Sequence, residues 1–176
     1  MISLGAVSFF TDVASEMMYP LLPVFLASVL GASASFIGVI EGAAESVAAL
    51  LKLASGWWSD RVKSRKGLVL AGYVIASVVR PFTAATQTAG QVLGIRVTDR
   101  IGKGIRSTPR DALIAESVDP SIRGRAFGFH AAADNAGAVV GPLIAFGVLY
   151  EWHIPLRTVF WLTAISCAIA VLGRGI

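Results

Sequence analysis

Six long apolar runs, separated by short links rich in Gly, Ser, Pro or charge, organise the chain from end to end. A helix rises about 1.5 Å per residue, so about 20 mainly apolar residues cross a hydrocarbon layer roughly 30 Å thick. The pattern predicts spanning helices at Ile2–Leu30, Phe36–Trp58, Gly67–Thr86, Gly90–Thr108, Gly124–Tyr150 and Thr158–Leu172. The expected fold class is therefore all-α: a polytopic membrane protein whose residues 1–176 form one six-transmembrane-helix domain.

Polar positions inside these runs carry the second message. Asp12, Glu16, Glu41, Glu45, Lys52, Arg80, Arg96, Asp99, Arg100, Lys103, Arg106 and Asp134 all fall within or at the edge of a predicted span. An Asp, Lys or Arg at the centre of a membrane helix costs about 2.5–3.5 kcal/mol, so such residues face a bundle interior, pair with one another or line water. Acids and bases are equal in number in this set, which makes full pairing feasible.

Their spacing draws one charged face on each helix. Asp12 and Glu16 are four apart, Glu41, Glu45 and Lys52 follow i, i+4, i+11, and Arg96, Asp99, Arg100 and Lys103 share one arc. His130, Asp134, Gly137 and Gly141 follow i, i+4, i+7, i+11, which aligns polar groups with glycines that permit close helix approach. Two readings stand side by side: static ion pairs that fix the bundle, or a polar pathway of carboxylates that exchange partners. The pathway is the more economical, because small-residue contacts join membrane helices without burying charge. On that reading Asp12, Glu16, Glu41, Glu45, Arg80, Arg96, Asp99, Arg100, His130 and Asp134 lie in or near a proton or substrate route. His130 is either a relay group or a hydrogen-bonded packing residue. Asp12 and Asp134 sit ~14 Å from the cytoplasmic ends of their helices, near the midplane.

Composition narrows the class further. Hydrophobic residues make up 55% of the chain and charged residues 15%, below the roughly 25% of an ordinary soluble domain, and mean hydropathy is +0.71. A net charge of +4 does not indicate nucleic acid, because the cations sit in short links or singly inside apolar runs. The single cysteine, Cys167, lies in an apolar run and reads as a packing residue. No metal or cofactor motif is present, and without GxSxG or HExxH the chain offers no hydrolase constellation, so it reads as a non-enzyme. The first helix lacks a basic lead-in and is interrupted by Asp12 and Glu16, so it is expected to be a retained span.

The links alternate in charge. Those around Ala32, Gln87 and His153 carry no Lys or Arg, whereas the link from Asp60 to Lys66 and the one from Asp119 to Arg125 are basic. The positive-inside rule puts the basic links and both termini in the cytoplasm. Pro20 and Pro23 should kink or loosen the first span, and Pro142 the fifth.

Three segments resemble signatures of the major facilitator superfamily. Gly56-Trp57-Trp58-Ser59-Asp60-Arg61-Val62-Lys63-Ser64-Arg65-Lys66 resembles the loop between its second and third helices, G-x-x-x-D-R-x-G-R-R-[KR], with Lys63-Ser64 replacing the usual Gly-Arg. Arg96, Gly102 and Gly104 match the fourth-helix R-x5-G-x-G pattern, and Gly137-x-x-x-Gly141-Pro142 resembles the fifth-helix motif of proton-linked antiporters, with Ala145 and Phe146 where paired glycines are frequent. Asp12 and Glu16 look like the acidic first helix of a bacterial efflux-type subgroup.

The resemblance implies a secondary transporter of a small solute, proton-coupled and working by alternating access in a bacterial-type inner membrane. It implies a cytoplasmic gating loop of Gly56, Asp60, Arg61, Arg65 and Lys66, and packing roles for Gly102, Gly104, Gly137, Gly141 and Pro142. The implied partners are the lipid bilayer, a small-molecule solute and protons, with no nucleic acid and no cofactor. Family members have about twelve spans in two halves, and six are expected here. A missing C-terminal half, a second copy of the chain, or a non-transporting six-helix binding or scaffold module are the three ways to account for that, the first being favoured.

Overall fold

The computed structural model describes the backbone of residues 2–61 and 65–172, and the side chains of residues 5–61 and 65–165. The expectations for Lys63, Ser64 and Cys167 lie outside the described side chains. Among the described residues seven α-helices follow one another: α1 (Ile2–Met18), α2 (Leu22–Ser28), α3 (Ala34–Ser59), α4 (Arg65–Val79), α5 (Ala89–Glu116), α6 (Arg123–Trp152) and α7 (Leu156–Leu172). Short 3-10 turns at Tyr19–Leu21, Arg80–Ala85 and Pro120–Ile122 join or extend them, and no strand occurs among the described residues. With α1 and α2 taken as one broken rod, the bundle has six helical rods.

Local chemistry explains the ends and the breaks. Ser33 caps α3 by accepting from the Phe36 N–H, and Thr88 and Gln91 form a reciprocal capping box at the start of α5. Pro20 and Pro23 lack the amide hydrogens that a continuous helix would use, and the first rod passes through a 3-10 turn there. Pro81 coincides with the same change after Arg80. Pro109 behaves differently: α5 continues through it to Glu116, beyond the expected end at Thr108. Two side chains secure this stretch, since Ser107 donates to the Lys103 carbonyl and Thr108 to the Lys52 carbonyl of α3.

Packing places α5 between α3 and α4, while α1 packs against α6 and α7. An apolar plug of Met18, Leu22, Phe25, Leu26, Ile40, Ala84, Val92 and Phe160 closes one end of the bundle, with Phe25 and Phe160 edge to face at 5.0 Å. Arg157 ties α7 to the turn after α4 by donating to the carbonyls of Ala84 and Thr86 at 2.6 and 2.7 Å. The outer surface is apolar where a soluble protein would be polar: Leu50, Leu53, Val139, Leu143, Phe146 and Tyr150 all stand exposed. Ala34–Ser59, Arg65–Ala85 and Pro120–Trp152 are each long and apolar enough to cross a membrane. The length of α5 is also sufficient, but its apolar run is interrupted turn after turn by Arg, Lys and Asp.

Candidate substrate and ion pathway

The charged arc of α5 is the spine of the interior. Asp99, at its centre, accepts from Arg80 Nε at 2.7 Å through one oxygen and from the Tyr19 hydroxyl through the other. Arg80 and Asp99 are each 1% exposed, so both charges are fully withdrawn from solvent and lipid. Arg80 also donates to the Thr11 carbonyl at 2.9 Å. The two breaks in the rods, at Tyr19–Leu21 and Arg80–Ala85, therefore meet on one carboxylate of the unbroken α5. Such a pair holds while both members are present, and removing either leaves a buried charge without compensation.

Farther toward the α3 side, Arg96 grips Glu41 through two donors, Nε at 3.0 Å and Nη2 at 2.6 Å. One turn on, Arg100 pairs with Glu45 at 2.7 Å. Tyr19 backs both cations, its ring centre 3.7 Å from the Arg96 guanidinium and 5.0 Å from that of Arg100. The arginines are buried, whereas the Glu41 side chain is 37% exposed and that of Glu45 is 62% exposed.

A second polar cluster lies farther along α5 and reaches α6. Ser8 donates to Asp134 at 2.6 Å, Arg110 stands 3.5 Å from the other Asp134 oxygen, and Arg110 also pairs with Asp111 at 3.1 Å. His130 approaches Asp134 from the preceding turn of α6 at 3.6 Å. Arg106 lies between the two clusters, stacked 4.4 Å from the Tyr73 ring. Asp12 sits in the electrostatic reach of Asp134, Arg106, Arg80 and Lys103. Glu16 is half-buried one turn beyond it.

Glycines decide how closely the rods approach. A Cβ at Gly137 would lie 2.9 Å from the Phe9 carbonyl oxygen, and one at Gly141 would lie 2.7 Å from the Val13 carbonyl oxygen and 2.9 Å from the Met17 nitrogen. The same glycines face the Cβ atoms of Asp12 and Glu16, so they set these acids against α6. Gly102 and Gly104 of α5 press on Gly72 of α4 and on Leu51 and Ala48 of α3, and Pro142 follows the α1 contact within α6.

At the basic turn, Arg65 rather than Arg61 makes the bridge to another rod. Arg65 pairs with Glu116 at the end of α5, faces the Asp60 carboxylate with Nη2 at 3.6 Å and donates to Ser59 at 3.1 Å. Arg61 folds back over Trp57 at 3.7 Å and donates to the Trp57 carbonyl. Asp60 and Lys66 stay exposed, and Gly56 faces Thr108 of α5.

The structure thus brings together Glu41 with Arg96, Glu45 with Arg100, Arg80 with Asp99, and His130 with Asp134. Sequence reasoning missed Ser8, Tyr19, Gly72, Tyr73, Arg110 and Glu116. Arg110 had a signal, since it continues the arc at i+7 from Lys103 and i+4 from Arg106. The tyrosines had none, because a Tyr in an apolar run reads as ordinary packing.

The arrangement can bind and exchange charge. Half-exposed carboxylates facing fixed arginines can change partners, and no grouping of three or more possible metal ligands occurs among the described residues.

The chain is similar to known proteins. The family model described as Major Facilitator Superfamily matches residues 4–174. An uncharacterised MFS-type transporter of Methanocaldococcus jannaschii is 38% identical over 142 residues, covering 81% of this chain and 35% of the relative. Multidrug resistance protein MdtH of Cronobacter sakazakii is 27% identical over 138 residues, covering 78% of this chain and 34% of the relative. The chain therefore spans about a third of the length of these curated relatives. Among solved structures, a bacterial homologue of the human lysosomal transporter Spinster, in its inward-facing and occupied conformation, superposes with a TM-score of 0.79 at 18% identity over 98% of this chain and 41% of that one. The six-rod bundle, the charged α5 face and the match over nearly the whole sequence lead to one assignment: this chain is a multi-pass membrane protein of the major facilitator superfamily.

Proposed function

We propose that the chain is one six-helix half of a secondary transporter that moves a small solute by alternating access, coupled to protons, across a bacterial-type inner membrane with both termini in the cytoplasm. One observation carries the reading: buried arginines of α5 are held by half-exposed carboxylates from α3, so charge is stored where partners can change. Membership of the major facilitator superfamily supports it, as do one relative named as an MFS-type transporter and another named as a multidrug resistance protein. Asp12, Glu16 and Asp134 supply protonatable groups at mid-depth, and His130 beside Asp134 is placed to relay a proton. The basic turn, through Arg65, Asp60 and Glu116, serves as the cytoplasmic latch; its exposed pairs cost little to open. No enzymatic step is part of this reading.

The test is flux in proteoliposomes carrying the chain and an imposed pH gradient, with tetraphenylphosphonium, benzoate and glucose as labelled probes. Gradient-driven uptake of a probe is expected once a second six-helix half is supplied beside the chain, with altered pH dependence in Asp12→Asn and Asp134→Asn. Uptake with unchanged pH dependence contradicts proton coupling through these residues. Absence of uptake in every format favours a non-transporting module, flux only on restoring a second half identifies the N-terminal half of a longer carrier, and flux only in a dimer identifies a half-transporter.

A further inference from the structure

Three buried arginines of α5, Arg96, Arg100 and Arg106, keep hydrogen-bond donors without an acceptor among the described residues, and the first two stand one turn apart against the acids of α3. Nη1 of Arg96 and Nε of Arg100 have no acceptor among the described residues. Arg96 is 4% exposed and Arg100 6% exposed, so these donors are withdrawn from bulk solvent. A buried unsatisfied N–H costs about 1–3 kcal/mol, which is recovered when an acceptor arrives. The carboxylates that face these arginines from α3 are much more exposed, so the cations form a fixed floor and the acids a movable rim.

The geometry suits an oxyanion. Residues four apart on a helix have Cβ atoms about 5–6 Å apart, a spacing at which one carboxylate or phosphate engages two guanidiniums. Tyr19 stacks against both and holds their planes, and its hydroxyl is already committed to Asp99. Asp99 is in turn closed by Arg80, so the acids free to yield are Glu41 and Glu45. Lys103, one turn farther on α5, adds a further positive charge on the same arc.

We propose that Arg96 and Arg100 form the recognition site for the anionic group of an organic oxyanion, a carboxylate or phosphate monoester, with Glu41 and Glu45 as internal competitors that the ligand displaces. This deepens the transport reading above and rests on it only for the statement that the bound anion is also carried. Displacement leaves Glu41 and Glu45 without their cations; one proton taken up for each negative charge on the ligand, one for a carboxylate and two for a phosphate monoester dianion, restores neutrality and links anion entry to proton uptake. An exposed acidic rim alone would suit a cation, but it gives the unused arginine donors no partner.

The two ideas predict opposite signs. The test is calorimetric titration of the purified full chain, in neutral detergent, with phenyl phosphate and separately with benzyltrimethylammonium. Phenyl phosphate is expected to bind, and Glu45→Gln, which removes one competitor, is expected to tighten it by about fivefold, the equivalent of losing an exposed ion pair of roughly 1 kcal/mol. Arg100→Lys keeps the charge but loses the planar donors, and is expected to weaken binding about tenfold. A nanodisc series with and without phosphatidic acid separates the sources: competition by that lipid assigns a lipid headgroup, and its absence assigns a free solute. The proposal is overturned if phenyl phosphate does not bind at about 10 mM, a threshold far above ordinary site affinities, or if Glu45→Gln leaves its binding unchanged or weaker. It is overturned equally if benzyltrimethylammonium binds in its place and is lost in Glu45→Gln. Anion binding with the expected response to Glu45→Gln, but no flux of any probe, upholds this site and refutes transport by the chain; flux without anion binding does the reverse.

Discussion

The α1–α6 seam and the α3–α5 seam are built from different materials. Along α1–α6, Gly137 and Gly141 bring backbone against backbone, with the polar pair of Ser8 and Asp134 as a cross-link. Along α3–α5 the close glycine contact is that of Gly104 with Leu51 and Ala48, and one or two turns before it Arg96 with Glu41 and Arg100 with Glu45 supply charged links, beside hydrogen bonds from Ser55 to the Gly104 carbonyl and Thr108 to the Lys52 carbonyl. A steric seam has one good fit and resists change. An ionic seam whose acids are half exposed can trade partners at little cost. The difference separates a part of the bundle that keeps its shape from a part that can answer to a ligand.

Substitutions can break or sharpen this contrast, and unfolding of the chain in detergent measures each. The largest loss is expected at the closed pair between the seams: Asp99→Ala takes the carboxylate from the buried Arg80 guanidinium, which keeps its bond to the Thr11 carbonyl, and should cost about 3–5 kcal/mol. Replacing both by methionine should restore much of that, because the cost lies in the stranded charge. Next comes Gly141→Ala, whose new methyl would stand 2.7 Å from the Val13 carbonyl oxygen; about 1–3 kcal/mol of destabilisation is expected, and an unchanged midpoint would mean the seam is looser than described. Glu41→Gln should cost less, about 0.5–1 kcal/mol after allowance for solvent screening, despite its two short bonds to Arg96. Glu116→Gln, at the exposed end of α5, should not shift the midpoint measurably, since its partner Arg65 lies at the surface. A reversal, with the ionic seam more sensitive than the glycine seam, would contradict the division of labour.

Much of the bundle was legible because membrane helices announce themselves by length and hydropathy, and because a face recurs every three or four residues. The arc from Arg96 to Lys103 and the Asp134–Gly141 stripe follow from spacing alone. Pairing did not. Glu41 and Arg96 are 55 positions apart and meet only because α3 lies beside α5, a fact of tertiary packing. The extension of α5 through Pro109 was hidden for a related reason: the helix survives there with help from Lys52 of another rod. At the basic turn, the resemblance implied a gating loop of Gly56, Asp60, Arg61, Arg65 and Lys66 but named no partner outside it, and the inter-rod bridge runs from Arg65 to Glu116. The unwinding at Tyr19–Leu21 was readable from Pro20 and Pro23; its attachment to Asp99 through Tyr19 was not.

A solute pathway requires the ionic rim of Glu41 and Glu45 to open onto water rather than onto acyl chains. Thiol accessibility tests that most directly: with Cys167 replaced by Ser, Glu45→Cys on the rim is compared with Leu143→Cys on the apolar outside of α6, where Leu143 is 63% exposed. In membrane vesicles, a charged, membrane-impermeant maleimide applied to both faces is predicted to label position 45 and to spare position 143. Labelling at 143 with none at 45, together with quenching of a probe at 45 by nitroxides on lipid tails, would contradict the pathway.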